Sequence, residues 1–237
     1  MFEEAKRAAA RLAVDECIKD KMVIGIGSGT TVIYAVQRLR ERVEKENLDI
    51  ACIPTSFQSR HLILENGLHL SSLEQHPEID VTIDGADEID ARFNLIKGGG
   101  GCCTQEKIVA AYSKQLVIIA DSRKKSTYLG QKWKKGIPIE VLPSVYVPVI
   151  NKLVYLGGVA KLRSAVAKVG PVITDNGNLI IDAEFGVIED PGTLERKLKE
   201  IVGIVETGLF IDMASEVYFG NVDGSITHHK SRTGEIV

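Results

Sequence analysis

The sequence predicts an α/β protein, a doubly wound, mostly parallel sheet domain with a small inserted α+β (ferredoxin-like) domain. In the first half, short apolar runs alternate with amphipathic helical stretches, and each run ends in glycines, hydroxyls or acids. Beyond Gly130 the order becomes strand–helix–strand–strand–helix–strand, the split βαβ pattern. A closing apolar strand at 217–219 then returns to the larger sheet. These observations place the sheet domain, which carries the candidate site, at 1–133 and 206–237, and the small domain at 134–205.

Residues 3–19 set Ala8, Leu12, Cys17 and Ile18 among charges and read as an amphipathic helix. Residues 22–26 read as a buried strand, Gly27 to Thr31 as a tight loop, and 32–46 as a helix with Ile33, Val36, Leu39 and Val43 on one stripe. Strand, glycine-rich loop and helix in that order aim backbone N–H groups and a positive helix end at one point, an anion cradle. The competing reading is a turn whose glycines serve geometry alone. Thr30 stands where the dinucleotide fingerprint needs glycine, and no Gly-Lys-Ser/Thr follows, so dinucleotide and P-loop sites both fail. A loop rich in hydroxyls (Ser28, Thr30, Thr31) suits a single phosphate.

Residues 49–53 form a strand ending at Pro54, Thr55 and Ser56, and 57–66 a helix closed by Gly67. The strand at 79–83 leads into Asp84, Asp87, Glu88 and Asp90, followed by Lys97 and four consecutive glycines. A helix starts near Thr104 with Glu106 in its first turn, and a strand at 116–119 ends at Asp121 and Lys124. In parallel sheets ligands sit beyond the carboxyl ends of the strands, where all these polar segments fall. In the second half, short strands are expected at 139–141, 162–169 and 204–210. Helices are expected at 148–155 and 191–201, with a hairpin turn at 174–178 before 179–181.

Composition narrows the function. Hydrophobic content of 44%, charged content of 26% and a net charge of −3 describe a soluble globular protein and argue against nucleic acid as the main partner. No apolar run reaches membrane-spanning length and the basic start of a signal peptide is missing. Cys17, Cys52, Cys102 and Cys103 contain no C-x-x-C pair, which predicts reduced thiols in a cytoplasmic protein. Asp84 and Asp87 suit metal binding, sugar hydroxyls or proton handling. Their spacing misses the Ca²⁺ loop and no histidine lies near, so no metal is expected. Each has a bland alternative: Asp84 as a turn cap, Glu106 as a helix-start acid, Lys97 or Lys124 as a surface lysine.

The motifs G-I-G-S-G-T-T (25–31), D-G-A-D-E-I (84–89), K-G-G-G-G (97–101) and Q-E-K-I (105–108) together resemble those of ribose-5-phosphate isomerase, type A. I-A-D (119–121) with Lys124, T-D-N-G-N (174–178) and G-L-F (208–210) extend the resemblance across nearly the whole chain. The resemblance implies interconversion of D-ribose 5-phosphate and D-ribulose 5-phosphate without a cofactor, in a homodimer or homotetramer. By the same resemblance, Ser28, Gly29, Thr30 and Thr31 match a phosphate-side loop, with Arg7 where a phosphate-contacting cation is often placed. Asp84, Gly85, Ala86 and Asp87 match a sugar-binding turn, with Asp84 the candidate for opening the furanose ring. Lys97, Gly98, Gly99 and Gly100 match the segment holding the reacting oxygens, Glu106 the proton-shuttling base, and Lys124 a substrate-binding lysine. Cys102, Cys103 and Gln105 depart from the residues expected there.

The residues fit this chemistry on independent grounds. Moving a proton between C1 and C2 through an enediolate needs one carboxylate on one face of the intermediate, with preorganised donors for its oxygens. Other readings remain: another sugar-phosphate isomerase or a lactonase on a related fold, or a non-catalytic sugar-phosphate-sensing module. The last has no need of both Asp84 and Glu106.

Overall fold

The computed structural model describes residues 2–231. In chain order the first elements are α1 (Phe2–Cys17), β1 (Val23–Ile26), α2 (Val32–Glu46), β2 (Ala51–Pro54), α3 (Phe57–Glu65) and β3 (Val81–Asp84). Then come β4 (Glu88–Ile89), β5 (Leu95–Ile96), α4 (Cys103–Ala111), β6 (Leu116–Asp121) and β7 (Ile137–Val141). They are followed by α5 (Tyr146–Tyr155), β8 (Val159–Leu162), β9 (Leu179–Glu184) and α6 (Pro191–Lys199). The last are β10 (Ile204–Thr207), β11 (Leu209–Phe210), β12 (Ala214–Gly220) and β13 (Ile226–Lys230). The chain divides into two compact units, residues 2–86, 105–124 and 213–231 in the first and 87–104 and 125–212 in the second.

In the first unit six strands run in the order β13-β12-β6-β3-β1-β2, parallel except for β13. β3 and β6 are buried along their whole length, as parallel strands covered on both faces must be. α1 buries Ala5, Ala9, Ala10, Ala13 and Val14, a stripe of small residues that lets helix and sheet approach closely. α2 buries Val32, Ala35, Val36 and Leu39 in the same core. The strand order reverses between β1 and β3, so the chain leaves β1 and β3 on opposite sides and opens a crevice beyond their carboxyl ends.

In the second unit β10-β7-β9-β8 form an antiparallel sheet, with a core that includes Val149 and Leu153 of α5 and Leu198 of α6. A three-stranded antiparallel sheet, β11-β5-β4, completes it. The small unit is therefore larger than the 134–205 read from the sequence. Pairing of β4 and β5 with β11 draws residues 87–104 into it. The buried Glu88 carboxylate accepts the amides of Gly130, Lys132 and Trp133, which draws in that connector.

Two strands differ from expectation. The one expected at 162–169 lies earlier, at Val159–Leu162, and the chain then turns back on itself, Ala165 N donating to Gly170 O. Val166 and Val169 are fully exposed there, so the apolar pattern at 162–169 never reports burial. The strand expected at 204–210 breaks at Gly208, whose amide donates to Pro138 O while its carbonyl accepts from Lys97 N. Among the described residues no helix is long and apolar enough to cross a membrane, and none of the four cysteines is in a disulfide.

Candidate active site

The first unit brings Ser28, Thr55, Ser56 and Asp84 together at the β1/β3 crevice. Asp84 ends β3, has no exposed surface, and accepts the amides of Ser28 (3.0 Å) and Gly85 (2.7 Å) on Oδ1. Gly27 makes this approach possible, since a Cβ there would stand 2.0 Å from Asp84 Oδ1. The Ser28 hydroxyl meets Thr55 Oγ1 at 2.8 Å and Ser56 Oγ at 2.6 Å, and Gln58 Oε1 accepts the Gly29 amide at 2.8 Å. The ends of β1, β2 and β3 thus converge, as the sequence predicts.

Thr31 occupies the N-cap of α2, yet its hydroxyl makes no cap hydrogen bond. A helix N-terminus whose hydroxyls are not spent on capping is suited to an anion. The cation reaching this loop is Lys6, not singled out in the sequence, whose Nζ lies 3.3 Å from Thr30 Oγ1 and 2.7 Å from Glu3 Oε1. The neighbouring Arg7 instead lies over the Tyr34 ring, 5.1 Å from its centroid.

Glu106 sits in the first turn of α4 with 4% of its surface exposed. A solvated helix-start acid would stand in water; this one is buried. Lys124 closes the short 3₁₀ turn Ser122–Lys124 after β6, the strand beside β3. At the end of β6, burial pushes the Asp121 carboxyl up, but its pairing with Arg123 at 2.7 Å outweighs this and holds it below the usual range.

The second unit carries Asp87, Lys97 and the glycines. Lys97 is 1% exposed, its amide donates to Gly208 O at 2.8 Å, and its ammonium lies 5.4 Å from the Phe210 ring centroid. Gly98 to Gly101 form a turn closed by Gly101 N donating to Gly98 O at 2.9 Å. Gly98 has φ +91° and a Cβ there would press Cys103 Cβ at 2.6 Å, so both backbone and space require glycine. Asp87 Oδ2 accepts the Gly99 amide at 2.7 Å.

Sequence reasoning also missed Glu140. This fully buried carboxylate accepts from Thr104 Oγ1 (2.6 Å), Thr174 Oγ1 (3.0 Å), Asn176 Nδ2 (3.0 Å) and Asn178 Nδ2 (2.8 Å). The T-D-N-G-N turn therefore serves to tie Glu140 to the start of α4, two residues before Glu106. Four neutral donors converging on one carboxylate leave no trace in local periodicity. Among the described residues no group of three or more His, Cys, Asp or Glu side chains is placed to hold a metal ion.

The sequence model of the family described as "Ribose 5-phosphate isomerase A (phosphoriboisomerase A)" matches residues 51–224. Ribose-5-phosphate isomerase of Homo sapiens is 57% identical over 225 residues, which is 94% of this chain and 72% of the human protein. That of Saccharomyces cerevisiae (strain ATCC 204508 / S288c) is 53% identical over 95% of this chain and 92% of its own. The structure of ribose 5-phosphate isomerase A from Methanocaldococcus jannaschii superposes with a TM-score of 0.90 at 41% identity, covering 96% of this chain and 99% of that one. A D-ribose-5-phosphate isomerase in complex with phospho-erythronic acid gives 0.92 at 41% identity, over 97% and 99%. On this identity and coverage, the chain belongs to the ribose 5-phosphate isomerase A family.

Proposed function

We propose that this ribose-5-phosphate isomerase works by a single-base enediolate mechanism, with Glu106 carrying the proton between C1 and C2 of the open-chain sugar. The burial of Glu106 in the first turn of α4 carries the reading. A carboxylate held out of water is placed to accept a proton from carbon rather than to solvate a helix end. Ser28, Gly29, Thr30 and Thr31 at the head of α2, with Lys6 beside them, bind the phosphate; Arg7 and Lys124 add positive charge. Asp84, Gly85, Ala86 and Asp87 bind the sugar hydroxyls, with Asp84 assisting ring opening. Lys97 and the amides of Gly98 and Gly100 hold the reacting oxygens as they gain charge, while Gly99, its amide on Asp87, keeps the segment in place. Phosphate binding remote from the reacting carbons keeps the chain in register for the proton transfer.

The bound phospho-erythronic acid of the 41%-identical relative supports this reading. Its carboxylate carries two oxygens on a planar carbon, as an enediolate does on its two carbons. The strand order β10-β7-β9-β8 supports a ferredoxin-like inserted unit, and the six-stranded order supports a doubly wound sheet. Exposed Val147, Val154 and Tyr155 on one side of α5 support self-association as a homodimer or homotetramer.

A coupled assay of ribulose 5-phosphate formation in excess EDTA tests the function. Steady turnover of ribose 5-phosphate is expected. Turnover of glucosamine 6-phosphate without ribose 5-phosphate, or loss of activity restored by a divalent ion, would contradict it.

A further inference from the structure

We propose that Arg163 is a positioning residue that aims the Gly100 amide at the reacting oxygens, an inference that rests on the substrate-holding role given to Gly98 and Gly100 above. Its guanidinium is fixed first by Asp182 of β9, Nε donating to Oδ2 at 2.8 Å and Nη2 to Oδ1. Both side chains are largely buried, 15% and 20% exposed. Its backbone is fixed as well, Arg163 N donating to Ile180 O at 2.8 Å and Arg163 O accepting from Val172 N at 2.9 Å. The remaining arm, Nη1, donates to the carbonyls of Gly98 and Gly99, each at 3.1 Å.

The consequence follows from peptide planarity. In a trans peptide the C=O and the following N–H point in opposite directions. With the Gly98 carbonyl on Arg163, the Gly99 amide is turned the other way, and there it donates to Asp87 Oδ2 at 2.7 Å. With the Gly99 carbonyl also on Arg163, the Gly100 amide is likewise turned away from the guanidinium. Gly100 is exposed, nothing but Cys102 Sγ would come within 4 Å of a Cβ there, and among the described residues no group accepts its amide. The Gly98–Gly99 peptide is also held by Gly101 N and Asp87 Oδ2, but glycines hold no conformation of their own, so without the fork the Gly99–Gly100 peptide would be free to flip. A lysine cannot replace it, since a single ammonium lacks the planar fork that binds a carboxylate and two carbonyls at once.

The test compares Arg163→Met and Arg163→Lys with the parent enzyme. In Arg163→Met, kcat is expected to fall on the order of 10–100-fold, short of the ~10²–10³ lost when an oxyanion donor itself is removed. KM should move less than about threefold, because the phosphate contacts remain. Inhibition by phospho-erythronic acid should weaken in parallel with kcat, while competition by inorganic phosphate stays unchanged. Arg163→Lys, which keeps a charge beside Asp182, should show the same pattern at smaller amplitude, and it decides the matter if the methionine variant does not fold. Unchanged kcat and unchanged phospho-erythronic acid inhibition in a folded variant would overturn the proposal. So would equal weakening of phosphate and phospho-erythronic acid, which marks general loosening. Glu106→Gln run alongside separates the two failures: if it loses turnover while Arg163 variants keep theirs, only the positioning role falls. Retained turnover in Glu106→Gln removes Glu106 as the base, and the positioning role then stands or falls on the Arg163 variants alone.

Discussion

The Ser28 amide donates to Oδ1 of Asp84 at 3.0 Å, joining the loop after β1 to the end of β3. These two residues are 56 positions apart, yet they meet at the point where the strand order reverses. The contact fixes the loop after β1 and the turn after β3 to each other at one sheet edge, and its closeness is permitted by Gly27.

Gly27→Ala should therefore damage both. Its Cβ would fall 2.0 Å from Asp84 Oδ1 and 2.6 Å from Asp84 Cα, and backbone cannot move aside cheaply. Overpacking of this kind costs about 1–3 kcal/mol, which in a chain of this size lowers Tm by about 2–4 °C per kcal/mol. Thermal unfolding should show that drop and kcat/KM should fall at least tenfold. A variant with parental Tm and activity would mean the crevice is more yielding than described.

Thr31→Val tests phosphate anchoring. The hydroxyl makes no cap hydrogen bond, so helix stability should change little. A contact with phosphate exists in ground and transition states alike, so KM should rise more than kcat falls. Steady-state kinetics with ribose 5-phosphate read this directly; a kcat loss at constant KM would count against the anchoring role.

Glu140→Leu removes the acceptor shared by Thr104, Thr174, Asn176 and Asn178. Stranding buried donors costs roughly 1–3 kcal/mol each, and Thr104 and Thr174 are buried. Tm should fall by several degrees and kcat should fall with KM nearly constant, because the start of α4 is loosened. Normal kcat in a destabilised variant would confine Glu140 to folding.

On the outer surface, hydrogen bonds from Arg11 and then Arg38 hold the Glu41 carboxyl down at about 2. A depressed folded pKa adds stability above the ordinary carboxylate range and loses it as pH falls. The Tm gap between the parent and Glu41→Gln should be present at pH 7, begin to narrow near pH 4.5 and close toward pH 2. Solvent exposure keeps the gap small. A gap constant across that window would show that the pair does not act through charge.

Helices and parallel strands of the first unit were legible because their apolar spacing reports burial directly: 32–46 as read is α2 as found. The two-residue strands β4 and β5 were not, since Glu88 and Ile89, or Leu95 and Ile96, are too few to show a period. β13, whose residues Ile226 to Lys230 include two histidines, carries no apolar alternation and is specified by its partner β12. In the candidate site, the run of glycines stood out because bare backbone is costly in a packed segment, and Asp84 and Glu106 stood out by their places at a strand end and a helix start. Lys6, Glu140 and Arg163 did not, because a lysine, a glutamate and an arginine are ordinary residues until their partners are seen.

The central claim is that Glu106 is the proton carrier, and the direct measurement is C2-proton exchange of ribose 5-phosphate with D₂O in Glu106→Gln. The amide keeps the shape and much of the hydrogen bonding but accepts no proton, so substrate should still bind with little change in KM. A general base contributes about 10²–10⁴-fold, so kcat should fall by that order and exchange should be lost in parallel. Near-normal exchange and turnover would contradict the account, leaving Glu106 a buried helix-start acid and moving the search for the base to Asp84 or Asp87.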